Sequence, residues 1–149
     1  LGASKYAQAT ANWSAVIWYD AASGGSTTTA PGASDDVFIN NGVTVTLNTD
    51  VTVASITVGQ GSTGILRFDG AAIRNLTVTG NVVVSTGGTF ATQSSGSFVN
   101  QMSIGGNLTN NGTFDMNQSS SSRTTTVTFN KTDGDQTIGT TGTPMFRFQ

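Results

Sequence analysis

A short segment that opens with glycine and continues as a strand recurs in this sequence at a fixed spacing of 24 residues. GILRF (64–68), GTFAT (88–92) and GTFDM (112–116) align under one another, and GVTVTL (42–47) precedes the first of them by 22 residues. Self-similarity at a fixed period is typical of repeat architectures, in which each repeat stacks on the one before it. The repeat therefore constrains the fold more than any other feature of the chain.

Two further patterns recur at a similar spacing. ITV (56–58), LTV (76–78), MSI (102–104) and VTF (127–129) each place a hydroxyl residue between two apolar residues, and GNVVV (80–84) is repeated as GNLTN (106–110). Three patterns in about 24 residues indicate three short strands per repeat, which is too short for a propeller blade and lacks the helix of a leucine-rich repeat. We predict an all-β parallel β-helix of about five coils, stacked at roughly 4.8 Å into a rod of roughly 25 Å.

Period-two alternation along a strand predicts which side chains face inward. The expected inward residues are Ile56, Val58, Leu76, Val78, Met102, Ile104, Val127 and Phe129. The middle residues of the same triplets are expected to form one outward hydroxyl ladder, made of Thr57, Thr77, Ser103 and Thr128. Asn81 and Asn107 share a position in their repeats, so we expect them to stack as an amide ladder.

The composition agrees with an all-β chain. Of 149 residues only 9% are charged, all eight acidic residues are Asp, and there is no Glu, His or Cys, while Thr, Ser, Asn, Val and Gly dominate. These residues are typical of short strands and tight turns. A net charge of −2 speaks against nucleic-acid binding, and no apolar run is long enough for membrane insertion. The alternatives are a sandwich of short antiparallel strands and a disordered chain.

Residues 1–35 do not follow the repeat, and they contain both tryptophans, Trp13 and Trp18. We interpret this segment as an N-terminal cap whose aromatic residues, with Tyr6 and Tyr19, plug the first coil, because the open ends of a solenoid need covering. Residues 36–149 would then be the coils, and the natural protein is expected to continue beyond them. The alternative is that Trp13 and Trp18 form a platform on which a ligand such as a sugar stacks.

The charged residues give little sign of catalysis. Arg67, Ala91 and Asp115 are 24 residues apart, so they are expected to share one outward column, with Asp69 and Arg74 nearby. A hydrolase needs two carboxylates that converge on one bond, and a lyase needs a base beside a site that neutralises its acidic substrate. A single Arg and a single Asp two coils apart meet neither requirement, so we expect these charges to be solvated and the chain not to be an enzyme.

Two other binding functions remain as alternatives. Asp133-Gly134-Asp135 resembles half of a calcium loop, which makes Asp133 and Asp135 candidate calcium ligands, although a plain turn explains the same residues. The hydroxyl ladder is also compatible with ice binding, although its single file of Thr and Ser is equally expected of exposed strand positions. No other metal or cofactor is expected.

Several segments together resemble a known class of protein. NWS near the start, the second tryptophan, PGASDDVFINNGVTVTL, the ITV and GNVVV strands and VTFNKTDGDQTIGTTGTPMFRF are similar to β-helical stretches of large bacterial cell-surface and adhesin-like proteins, which are often exported by type IX secretion. The resemblance covers residues 11–149, reaches no sorting domain and supplies no catalytic motif.

This resemblance implies a right-handed β-helix that is secreted to the surface of a bacterium by its secretion machinery. The implied function is that of a stalk or adhesive module that contacts a surface glycan or a partner protein. The alternative from a different class is a fragment of a polysaccharide-active enzyme, a lyase or glycoside hydrolase, whose catalytic part lies elsewhere. Three or more convergent Asp, Lys or Arg side chains would favour the enzyme.

Overall fold

The computed structural model describes residues 2–15, 17–118 and 122–148, and every regular element in these residues is a β-strand. The strands form three hydrogen-bonded sheets of seven, six and four strands. No helix in the described ranges has the length and apolar character needed to cross a lipid bilayer. The all-β class expected from the sequence is confirmed.

The strands are short, mostly two to four residues long. They are β1 (Ser4–Ala7), β2 (Ala11–Asn12), β3 (Trp18–Tyr19), β4 (Asp36–Ile39), β5 (Thr44–Leu47), β6 (Val51–Val53), β7 (Ser55–Val58), β8 (Ile65–Phe68), β9 (Asn75–Val78), β10 (Val82–Val84), β11 (Thr89–Ala91), β12 (Val99–Ile104), β13 (Leu108–Asn110), β14 (Thr113–Asp115), β15 (Thr124–Phe129), β16 (Ile138–Gly139) and β17 (Met145–Arg147).

From β4 onward the chain adds one strand to each sheet in turn. The seven-stranded sheet has the order β16-β13-β10-β7-β4-β1-β3, the six-stranded sheet β17-β14-β11-β8-β5-β2, and the four-stranded sheet β15-β12-β9-β6. From β4 onward, each strand inside a sheet therefore pairs with the third strand before it and the third strand after it, and these pairings are parallel. Only β3, which pairs with β1 at the edge of the seven-stranded sheet, runs antiparallel among the described strand pairs.

The 24-residue spacing seen in the sequence is the pairing register of β8, β11 and β14 in the six-stranded sheet. Phe90 lies beside Leu66 on one side and Phe114 on the other, and Val82 pairs with Leu108 in the seven-stranded sheet at the expected offset of 26. The repeated glycine lies just before β8, β11 and β14, where the chain passes close to its neighbours. A Cβ on Gly88 would lie 2.5 Å from the Val58 carbonyl oxygen, so only glycine fits there without a shift.

One pairing expected from the sequence is wrong. The triplet 56–58 lies in β7 of the seven-stranded sheet, beside 82–84, and not in the column of 76–78, 102–104 and 127–129. Its expected place in the four-stranded sheet is taken by the similar triplet 51–53. The two triplets, VTV and ITV, are separated only by Ala54 and Ser55 and have the same alternation, so the pattern alone does not distinguish them.

The predicted membership of the hydroxyl ladder is wrong at the same strand. On the four-stranded sheet it consists of Thr52, Thr77, Ser103 and Thr128, whereas Thr57 lies on the outer face of the seven-stranded sheet. The expected inward residues up to Ile104 are buried, with exposures of 0–2%. Val127 and Phe129, in the edge strand β15, are half-buried and pack against the core.

The core is one continuous apolar cluster between the sheets. Apolar residues pair in register down each sheet, as in the row Leu66, Phe90 and Phe114. The rings of Phe68 and Phe90 have centroids 6.3 Å apart, and those of Phe90 and Phe114 lie 5.6 Å apart in an edge-to-face arrangement. Such rows of large side chains remove the most apolar area from water, which is the main stabilising contribution in a chain with so few charges.

Turn side chains connect neighbouring repeats. The Asn81 side-chain oxygen accepts the backbone N–H of Asn107 at 2.8 Å, and the Asn107 side-chain oxygen accepts the N–H of Thr137 at 3.0 Å. Asn81 and Asn107 therefore share a column as expected, but each bonds to the backbone of the next repeat instead of to the next amide. Asn41 does the same, since its oxygen accepts the N–H groups of Gln60, Ser62 and Thr63 at 2.8–3.3 Å.

Residues 2–35 contribute strands to two of the sheets. β1 pairs in parallel with β4, β2 pairs in parallel with β5, and β3 then turns back along β1. Trp13 and Trp18 are buried in the core, while Tyr6 and Tyr19 are half-buried on the outer face of the seven-stranded sheet. The expectation that both tyrosines plug the interior is therefore wrong, because each alternates with an inward neighbour, Ala7 and Trp18 respectively.

Candidate functional site

The two tryptophans proposed as a stacking platform have no free surface. Trp13 is 2% exposed and Trp18 is fully buried, and their rings pack at 4.7 Å with an interplanar angle of 58°. The Trp18 indole N–H donates to the Trp13 carbonyl oxygen at 2.8 Å, which satisfies the one polar group that Trp18 buries. A sugar needs an exposed ring face, so neither ring is placed to bind one.

The calcium candidates lie in an exposed turn. The Thr132 hydroxyl donates to an Asp133 carboxylate oxygen at 3.1 Å, and the Lys131 ammonium donates to the backbone carbonyl of Asp135 at 2.6 Å. Gly134 between them has a φ of 71°, which is the left-handed conformation of a tight turn. No group of three or more potential metal ligands occurs among the described residues.

The charged column expected from the 24-residue spacing exists, but its acidic residue is buried and forms an ion pair instead of being solvated. Arg67, Ala91 and Asp115 are in register on β8, β11 and β14, and Arg147 follows on β17. Asp115 is only 5% exposed, and its carboxylate lies 3.5 Å from the Arg147 guanidinium. The interpretation of Asp115 as a solvated charge is therefore wrong, since the next repeat both covers it and supplies an opposite charge.

Asp69 forms the tightest ion pair among the described residues. The Arg74 guanidinium donates to both oxygens of its carboxylate, at 2.7 and 3.0 Å. Partial burial raises the pKa of Asp69, but the hydrogen bonds and charge of Arg74 outweigh this and hold that pKa below its ordinary value. A carboxylate in this position stays ionised and is committed to its partner, so it is poorly suited to act as a general acid or base.

Two other carboxylates are held by the turns. Burial raises the pKa of Asp35, but backbone N–H groups of Gly32 and Ala3, each donating at 2.9 Å, lower it overall. The pKa of Asp50 is lowered by hydrogen bonds from the Asn75 side chain, at 3.0 Å, and the Asn75 backbone, at 2.9 Å. These carboxylates act as structural acceptors.

A buried polar cluster lies where the six-stranded and four-stranded sheets meet. Gln93 and Asn100 have no exposed surface, and Thr92 and Thr125 are 1% and 5% exposed. The Gln93 side-chain oxygen accepts the Asn100 amide at 2.6 Å and the Thr92 hydroxyl at 2.5 Å, while its amide donates to the Phe98 carbonyl. Every buried side-chain polar atom among the described residues has a partner, so this cluster supports the structure and presents nothing to a ligand.

The outer face of the seven-stranded sheet carries an aromatic row near one edge. Tyr19, Tyr6 and Phe38 are in register on β3, β1 and β4, and Thr57 and Val83 continue the row on β7 and β10. The Tyr6 and Phe38 rings stack face to face, with centroids 4.7 Å apart and planes 14° apart. Neither ring belongs to the buried core cluster, although both are large and aromatic.

Beyond Phe38 the row drops to the small side chain of Thr57. We call the patch of this face that contains Asp36, Phe38, Asn40, Thr57 and Gln60 the Thr57 niche. Asn40 lies two residues after Phe38, about 7 Å further along the strand direction. The Gln60 amide donates to the Asn40 side-chain oxygen at 2.7 Å, and the Asn40 amide donates to the Ala22 carbonyl at 2.8 Å.

The two ends of the niche differ in chemistry. On the amide side, Asn40 and Gln60 also line a shallow cleft of about 260 Å³, together with Ala22 and Asn41. At the other end the Ser55 hydroxyl donates to one carboxylate oxygen of Asp36 at 2.5 Å. The niche thus places an aromatic ring, amide groups, a hydroxyl and a carboxylate on one face of the sheet, along roughly 13 Å of the strand direction.

Sequence reasoning missed this niche, although a signal for it was present. In DVFI (36–39) three apolar residues are consecutive, and alternation requires either Phe38 or the pair Val37 and Ile39 to face outward. The aromatic residue is the one that faces outward, where it is half-buried, because the two β-branched residues continue the inward rows. The partners Tyr6, Thr57 and Gln60 come from other repeats and become visible only through the sheet register.

Comparisons with protein-family models, with curated proteins and with solved structures find no match to this chain.

Proposed function

We propose that this chain is a right-handed parallel β-helix module of about five coils, which serves as a stiff stalk or adhesive segment on a bacterial cell surface. Its exterior would hold a glycan or a partner protein, and the module would have no catalytic activity of its own. Export would bring it outside the cell, as the resemblance to adhesin-like surface proteins implies.

The strand register supports the β-helical part of the proposal. Between β4 and β15 the chain passes through the three sheets in the same order four times, and β16 and β17 begin a fifth passage. Each return to a sheet is a parallel connection, and such connections are almost always right-handed because of the twist of the strands. Backbone hydrogen bonds then run along the whole stack, which favours a stiff rod over a flexible linker.

The composition of the outer surface supports the adhesive part of the proposal. It is the single observation on which the proposed function depends. The outward positions of the four-stranded sheet are mainly hydroxyl and amide residues, as in the row Thr52, Thr77, Ser103 and Thr128. The seven-stranded sheet adds the aromatic row and the Thr57 niche. Hydroxyls, amides and aromatic rings held on a rigid sheet match the hydroxyl groups and apolar faces of neutral glycans better than they match a charged partner.

The function is tested by adhesion under flow. Beads that carry the folded chain through a terminal tether are passed over immobilised polysaccharides and over bacterial surface extracts. We expect retention several-fold above that of beads carrying the Val78→Asp variant, in which the core is disrupted. In parallel, the soluble chain is incubated with the same polysaccharides, and the release of new reducing ends or unsaturated ends is measured.

The outcomes separate the candidate functions. Retention without product release supports a stalk or adhesive module. Product release from any of the polysaccharides would overturn the non-enzymatic assignment and favour the enzyme alternative. Equal retention of both kinds of bead would overturn adhesion by the folded surface.

A further inference from the structure

We propose that the Thr57 niche is a binding site for one pyranose residue of a neutral oligosaccharide, with its apolar face on Phe38 and its hydroxyls on the surrounding amide and hydroxyl groups. This inference rests on the proposed adhesive function and gives it a site and a class of ligand. Four observations carry it: the aromatic ring, the unused polar groups, the charges and the size of the space.

The aromatic ring is placed to present one face. Tyr6 covers one side of the Phe38 ring, and β7 lies on the other side of β4, so the second face of Phe38 is turned toward the small Thr57 side chain. Neighbouring strands are about 4.8 Å apart, which is close to the spacing of a sugar stacked on a ring. Stacking against Tyr6 fixes the Phe38 side chain, so little rotamer freedom remains to be lost on binding.

The polar groups around this face are held in position and not fully used. Asn40 and Gln60 each donate one amide hydrogen internally, which leaves the second amide hydrogen of each available. The Thr57 hydroxyl and the Gln60 side-chain oxygen have no hydrogen-bond partner within the described residues. Donors and acceptors that alternate around a ring face match the hydroxyl groups of a pyranose.

The charges favour a neutral ligand. No Lys or Arg lines the niche, and the Asp36 carboxylate lies at one end with one of its oxygens already bonded to Ser55. A uronate or sulfated sugar would meet this carboxylate with no cation to compensate, because Lys5 on the neighbouring strand faces inward and is only 9% exposed. The same carboxylate can accept a hydrogen bond from a sugar hydroxyl.

The size of the space limits the ligand. The adjoining cleft of about 260 Å³ is below the roughly 300–1,000 Å³ of a pocket that encloses a drug-sized molecule. This cleft shares Asn40 and Gln60 with the niche and has room for no more than one sugar residue, so the other residues of an oligosaccharide would extend over the open sheet surface. Binding at one such shallow site is weak, and a surface that carries many copies would gain adhesion by multivalency.

The experiment uses the full chain and four soluble hexasaccharides as probes: cellohexaose, maltohexaose, mannohexaose and chitohexaose. Nuclear magnetic resonance titration follows the backbone and side-chain amides. We expect at least one probe to shift the side-chain amides of Asn40 and Gln60, with saturation in the millimolar range. Hexagalacturonate, which is anionic, should give at least a fivefold lower affinity than that probe.

Three variants and one matched control locate the site. Thr57→Val keeps the shape and removes the hydroxyl, Phe38→Leu removes the ring, and Gln60→Ala removes an exposed amide. Each is expected to weaken binding about fivefold or more without changing the denaturation midpoint appreciably. The control Thr109→Val makes the same substitution in the same outward row, two repeats away, and should bind like the unmodified chain.

The outcomes are distinguishable from failure of the proposed function. Absence of binding by all four neutral probes, or tighter binding of hexagalacturonate, would overturn the proposal. Binding that is equally affected by Thr109→Val and Thr57→Val would place the sugar elsewhere on the sheet. If beads still adhere in the flow assay while the niche variants bind and adhere normally, the adhesive function stands and the niche is not its site.

Discussion

Val78 and Thr77 are neighbours on β9 that face opposite sides of the same sheet. Val78 is fully buried within the apolar core, and Thr77 is half-buried in the outward row between Thr52 and Ser103. What each position tolerates is set by this orientation, because the two residues have the same strand neighbours and nearly the same volume. The pair therefore tests the inward and outward assignments with little else changed.

We predict that Val78→Asp prevents stable folding and that Thr77→Asp is tolerated. An unpaired carboxylate in the core costs several kcal/mol, which is comparable with the whole stability of a small domain. At position 77 the carboxylate remains hydrated, and the expected change is within about 1 kcal/mol. Urea denaturation followed by far-ultraviolet circular dichroism measures both. Similar stability of the two variants would show that the two faces of β9 are assigned wrongly.

Among the elements, the connection between β11 and β12 shows best how polar residues stabilise this core. Gln93 lies in this connection and bonds Thr92, Asn100 and the Phe98 carbonyl, so it holds the turn against the start of β12. Thr125 on β15 extends the cluster to the next repeat through a bond of 2.8 Å to the Thr92 hydroxyl. A cluster of this kind stabilises only while every member has its partners.

We predict that Gln93→Leu destabilises the chain by about 1–3 kcal/mol for each polar group left without a partner. The groups concerned are the Thr92 hydroxyl hydrogen, the Asn100 amide and the Phe98 carbonyl. The matched control is Gln101→Leu on β12, where the side chain is exposed and the change should stay within about 0.5 kcal/mol. Urea denaturation midpoints report both variants. Equal midpoints would mean that water replaces the lost partners of Gln93.

For the whole molecule, the carboxylates held in turns determine the response to acid. The pKa values of Asp35, Asp50 and Asp69 are lowered in the folded chain, since each accepts hydrogen bonds that need the ionised form. A group whose pKa is lower in the folded state stabilises that state above its unfolded pKa, about 3.9 for Asp. This contribution is lost as the pH falls through the lower, folded pKa.

We predict that the melting temperature is nearly constant from about pH 7 to pH 5 and falls below about pH 4. Differential scanning calorimetry over this range provides the measurement. The triple variant in which Asp35, Asp50 and Asp69 are each replaced by Asn should be less stable at neutral pH and should show a shallower decline in acid. An unchanged slope would assign the acid sensitivity to other groups.

The sequence predicts the register of one sheet correctly, but it assigns one strand to the wrong sheet. The recurrence of Gly64, Gly88 and Gly112 sets the register of the six-stranded sheet, because a fixed spacing places the strands side by side. The same reasoning failed for 56–58, since two similar triplets separated by only two residues lie at the junction of β6 and β7, and only one of them fits each sheet. Local alternation reveals the two faces of a strand, but not the sheet to which that strand belongs.

The sequence by itself determined the all-β class, the period of the repeat and the identity of most inward residues, because these follow from spacing and alternation along one chain. Only the tertiary structure decided that Trp13 and Trp18 are enclosed, that Asp115 is buried and paired with Arg147, and that Phe38 lies beside Thr57 on the outer face. These facts depend on which strands lie side by side. Residues about 20 positions apart become neighbours only when the backbone register brings them together, and no local pattern contains that register for the side chains on the outer face.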